Sequence, residues 1–125
     1  NEAMDSLKPQ VIRAIESSAA AYGARAEIRI LKEMPAAIIH DEATAVITRA
    51  IRSVFGETGL TAAKSTPGSE DFFHYLRLRP QIKGGFWGLG ANLTPGLHHP
   101  EMHFDRDALA LGVKVFKACV EDVLG

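Results

Sequence analysis

Residues 24 to 30 read ARAEIRI, in which Ala24, Ala26, Ile28 and Ile30 alternate with Arg25, Glu27 and Arg29. A period of two puts the apolar side chains on one face of an extended segment and the charges on the other, so the stretch reads as a β-strand with one wet face. Whether it is a strand decides whether the neighbouring helices are layers on a sheet or pack only on one another. Just before it, Leu7, Val11, Ile15, Ala19 and Tyr22 recur every three or four residues, the spacing of one helical face. Asp5 or Ser6 can cap that helix, Pro9 then falls in its first turn, and Gly23 suits its close.

Beyond Pro35, AAIIHDE leads into a second helix with Asp41 as its cap. Its apolar face is Val46, Ile47, Ala50, Ile51, Val54 and Phe55, and Gly56 ends it. LTAAK, residues 60–64, reads as a short strand. Pro67 and Gly68 break the chain before a third helix, with Ser69 as cap and Glu70 and Asp71 in the first turn, where the helix dipole favours acids. Pro80 stops it. GGFWGLG, residues 84–90, is an apolar run between glycines and suits a buried strand. Asp105 caps a last helix whose buried face is expected to hold Leu109, Gly112, Val113, Phe116, Val120 and Val123. Helix and strand thus alternate through the chain, which predicts an α/β fold with some parallel pairing. So few strands imply that part of the sheet lies outside these residues.

The 125 residues suffice for one domain, and 46% hydrophobic with 23% charged residues is ordinary globular composition. A net charge of -1, with acids and bases interspersed, gives no electrostatic footprint for nucleic acid. No apolar run approaches the ~20 residues of a membrane span, and the polar opening NEAMDSLKPQ is no signal peptide. That opening lacks an initiator methionine and enters a helix almost at once, which reads as a fragment. The single cysteine, Cys119, excludes an internal disulfide and fits a reducing, cytoplasmic setting.

Three of the five histidines fall in LHHPEMH, residues 97–103. A helical zinc site of the HExxH kind requires glutamate directly after the first histidine, but Pro100 follows His99 and Glu101 comes one place late. Two readings remain. Either the loop is a solvated surface, or one histidine is a ligand whose companions lie elsewhere, since one imidazole cannot hold a catalytic ion unaided.

GSEDFFHYL at residues 68–76, the glycine-rich apolar segment, LHHPEMHFDRDAL at 97–109 and the amphipathic last helix together resemble the C-terminal end of the metal-dependent amidohydrolases. That family, peptidase family M-twenty, includes the aminoacylases, hippurate hydrolases and auxin-conjugate hydrolases. AAYGARAEIRI at residues 20–30 resembles the last helix and strand of the family's small lid, so the likeness runs along essentially the whole chain.

The resemblance implies an incomplete zinc-peptidase-like catalytic domain, a mixed sheet with flanking helices, over residues 35–125. Residues 1–34 would be the last helix and strand of a ferredoxin-like lid that usually makes the dimer. It implies two divalent metal ions, zinc or manganese, that activate a water against the amide bond of an N-acyl amino acid or small peptide. His98 matches the family's last metal ligand, His99 a position open to serine or histidine, and His103 a variable one. Gly68, Ser69 and Glu70 match a segment beside the substrate pocket, although plain helix capping explains them equally well. The other ligands and the catalytic glutamate have no counterpart here, and Glu42, Glu57 and Glu101 stand in unmatched contexts. The parent is therefore expected to be a hydrolase and this chain alone inactive. A non-catalytic association module, forming a homo-oligomer through the strand at 24–30, is the alternative.

The remaining candidates read as structure. His74 is a half-exposed packing residue, His40 a polar loop residue before the second helix, Trp87 core, and Cys119 a small buried hydrophobe.

Overall fold

A computed structural model describes residues 1–63, 65–66 and 68–125. Its elements in order are α1 (Glu2–Ala21), α2 (Asp41–Phe55), a single 3-10 turn (Glu57–Gly59), α3 (Phe72–Leu78) and α4 (Ala108–Leu124). Among the described residues there is no strand, and half of the chain is helical. The expected α/β fold, a mixed sheet with flanking helices plus a lid strand, is therefore overturned. The nearest thing to sheet is one isolated antiparallel bridge between Thr94 and His103.

The reason is that a strand exists only as a pair, because its N–H and C=O groups point sideways and need another backbone. Residues 24–30 have the right alternation but find no partner strand among the described residues. In the stretch 84–90, backbone pairing is confined to Gly84: its carbonyl accepts from the His40 N–H at 3.0 Å, and its own N–H donates to His40 Nδ1 at 3.1 Å. Residues 60–63 likewise carry no strand; Lys64, which ends that expected strand, and Pro67, the expected breaker, lie outside the described residues.

What core there is sits where α2 crosses α4, while α3 packs on the segment 84–86 through Leu76 and Phe73. Ala50 of α2, Phe73 and Leu76 of α3, and Ala108 and Val115 of α4 are buried, Val115 completely. The passing segment 84–85 lies so close that a Cβ on Gly85 would come within 2.6 Å of Ile47 Cδ1 and 3.2 Å of the Ala43 backbone. Phe86 completes an aromatic group with Phe72 and Phe73, ring centroids 6.3 and 5.8 Å away respectively. Arg49 of α2 holds Asp122 of α4 through two bonds, Nε–Oδ1 at 3.1 Å and Nη2–Oδ2 at 2.7 Å. That grip, by hydrogen bond first and charge second, lowers the Asp122 carboxyl below its usual range.

The packed face of α4 differs from the expected one. Gly112 is buried as expected, but Leu109, Val113, Phe116, Val120 and Val123 are all exposed, Phe116 by 63%. The helix is apolar on both sides, and α2 covers only the side carrying Ala108, Gly112 and Val115. Helix α1 packs on no other helix and buries nothing. Polar ties hold it instead: Asn1 to the Ala36 backbone, Lys8 to Glu33 and Asp5 to Arg77. It starts at Glu2, earlier than its expected cap, so Pro9 lies inside it; Gly23, at φ +67°, follows its C-cap.

In total the chain exposes 10115 Å², whereas a chain of this size folded around one complete core exposes about 6,500 Å². The surplus is the apolar stripe of α1, the outer face of α4 and the extended segments.

Candidate functional site

The histidine loop runs from Ala91 to Asp105 and is closed on itself. The Asp105 N–H donates to the Ala91 carbonyl at 2.8 Å, and Thr94 and His103 exchange backbone bonds at 3.0 and 2.9 Å. Within that neck lie two tight turns, from the His99 N–H to the Gly96 carbonyl (3.3 Å) and from the Met102 N–H to the His99 carbonyl (3.0 Å). The three histidines inside it do different things. His99 Nδ1 accepts the Glu101 N–H at 3.1 Å, and His103 Nδ1 lies 3.2 Å from the Glu101 carbonyl, to which it can only donate. So His99 carries its proton on Nε2 and His103 on Nδ1. Among the described residues, the His98 ring takes no hydrogen bond.

His98 is also exposed and stands at φ +63°, in the left-handed region that a residue with a Cβ seldom enters. Backbone held there persists only where its surroundings over-determine it, and such residues cluster at functional sites. Two non-glycine residues of the loop stand in that region, Asn92 at φ +49° and His98.

Gly68, Ser69 and Glu70 are exposed and precede α3. Ser69 is not the cap: the helix starts at Phe72, Asp71 occupies the cap position without a side-chain bond, and no acid falls in the first turn. The Gly68 N–H is held by the Thr66 hydroxyl at 3.1 Å, and the Glu70 carbonyl accepts from Phe73 at 3.3 Å. The Ser69 and Glu70 side chains take no bond among the described residues. Asp41 and Asp105 are displaced from their expected cap roles too, with His40 and Asp107 in those places. Asp105 instead holds the Asp107 N–H one turn earlier, at 3.0 Å.

Among the described residues, no three of His, Cys, Asp and Glu stand close enough together to hold a metal ion. This donor set does not fit a complete centre. A cleft of about 330 Å³ between α2 and α4 is lined by Ala43, Val46, Ile47, Cys119 and Val123, and burial, then the Asp122 charge, raises the Cys119 thiol above its usual range. Neither His98 nor residues 68–70 border that cleft. Among the described residues, no helix is long and apolar enough to cross a membrane.

Sequence reasoning missed the work of His99, His103 and His40. The available signal was His99 standing two residues before a free N–H, the spacing at which asparagine or serine closes a turn.

The sequence profile of Peptidase family M20/M25/M40 matches residues 4–122. An N-acetylcysteine deacetylase of Bacillus subtilis (strain 168) is 30% identical over 92% of the chain, which spans 29% of that protein. A candidate glutamate–cysteine ligase 2-3 of Rhodococcus jostii (strain RHA1) is 34% identical over 94% of the chain, which spans 15% of it. No solved structure gives a significant match.

Proposed function

The chain belongs to Peptidase family M20/M25/M40, and from that premise we propose that it is the C-terminal portion of a metal-dependent amidohydrolase. The parent would hydrolyse the amide bond of N-acyl amino acids or small peptides in the cytoplasm. The name of the Bacillus subtilis relative, a deacetylase of an N-acetylated amino acid, supports that substrate class. The carrying observation is His98, an imidazole without a hydrogen-bond partner among the described residues, held at positive φ where the family likeness expects a ligand. It would give one ligand to a centre of two divalent ions, zinc or manganese, whose other donors come from elsewhere in the parent. Gly68, Ser69 and Glu70 would face the substrate, residues 1–34 would close the lid, and residues 35–125 would belong to the catalytic domain.

With one donor, the chain alone is inactive. Incubated with an N-acetyl amino acid and zinc, it should release no product above buffer; measurable turnover would end the proposal. In zinc titrations, His98→Ala should remove whatever binding the loop shows.

The surplus of exposed surface favours a second reading, a non-catalytic association module that forms a homo-oligomer. That reading predicts self-association in sedimentation and zinc behaviour unchanged by His98→Ala.

A further inference from the structure

Resting on the reading of His98 as a ligand, we infer that His99 and His103 are positioning residues for it, each acting on the backbone of Glu101. The His99 ring takes the Glu101 N–H at 3.1 Å and the His103 ring meets the Glu101 carbonyl at 3.2 Å. One residue is thus gripped at both polar ends, immediately after the turn that carries His98. Each grip uses the Nδ1 atom, so two of the three imidazoles already serve the loop's own backbone. His103 further fixes the neck through its two backbone bonds to Thr94. His98 lies within the Gly96–His99 turn, just ahead of these clamps, and its positive φ is what the closed loop imposes on it. The cluster that looks like a metal site from its composition is then one presented imidazole and two braces.

The chemistry of the braces makes the inference specific. His99 acts as an acceptor for the N–H two residues on, a task that an asparagine side chain also performs and alanine cannot. The test is nuclear magnetic resonance on the 125-residue chain as wild type, His99→Ala, His99→Asn and His103→Ala. In His99→Ala, Glu101 amide exchange should quicken about fivefold, and the backbone coupling that reports the positive φ of His98 should average out. His99→Asn should restore both, and His103→Ala should follow His99→Ala. Far-ultraviolet circular dichroism should be the same in all four, because the loop lies outside the helices. Unchanged His98 coupling in His99→Ala, or no rescue by asparagine, would overturn the inference.

Zinc alone serves as the probe for the reading beneath it. At about millimolar zinc, where one imidazole makes only a weak and transient contact, the His98 ring signals of the wild type should shift, with about tenfold weaker binding in His99→Ala and recovery in His99→Asn. If zinc leaves His98 untouched while the amide pattern follows the braces, the ligand reading fails and the bracing stands.

Discussion

The α2–α4 crossing and the loop 91–105 are adjacent in this chain and are held by opposite means. At the crossing, Ala50, Ala108, Gly112 and Val115 have left water, and the Arg49–Asp122 pair lies at its rim. In the loop nearly every residue is wet, and its shape comes from backbone bonds, two imidazole clamps and two residues at positive φ, Asn92 and His98. Burial is non-directional and fixes a face; hydrogen bonds are directional and fix an atom. The first suits a scaffold. The second suits the presentation of one ring nitrogen.

Mutations can separate the two regimes. Val115→Asp places an unpaired carboxylate at a fully buried site, so it should cost more than about 4 kcal/mol and abolish the helical signal on urea titration. Should the loop's amide protection survive that unfolding, the loop would be independent of its scaffold, sharpening the contrast beyond what is drawn here. Gly85→Ala drives a methyl into Ile47 and the α2 backbone, and about 1–3 kcal/mol of lost stability should appear as a lower urea midpoint. His98→Gly should act in the reverse sense. Freed of the Cβ that opposes φ +63°, the chain should gain about 1 kcal/mol in the same assay while losing the ring; a loss of stability would mean that the ring itself props the loop.

The smallest effect belongs to the rim pair. Because Arg49 lowers the Asp122 carboxyl in the folded state, its contribution is complete above the unfolded value near pH ~4. It is lost as pH falls through the lower folded value. Asp122→Asn should therefore flatten the stability profile only on the acid side, and added salt should shrink the difference.

Much of the fold was legible. The helices, the glycine after α1 and after α2, and the apolar stripe of α2 follow from local spacing. Two of the readings that failed did so for separate reasons. ARAEIRI has a strand's alternation, but no neighbouring backbone answers it. Residues 109, 113, 116, 120 and 123 form a good apolar face on α4, yet the helix has two such faces and only contact with α2 selects one. The histidines invited a search for ligands because composition cannot show which rings the backbone has already claimed. His98 was indicated by likeness alone, and the structure adds its unusual φ and a ring without a hydrogen bond among the described residues.

By itself the sequence determined where helices form and which family the chain belongs to. Helical bonds close within four residues, and the family's motifs are read in order along the chain. Only the tertiary structure decided that no strand pairs among the described residues, which face of α4 is dry, and which imidazole remains free. Each of those depends on groups brought together from separate segments or turned by a closed loop, and periodicity along one segment carries no record of them.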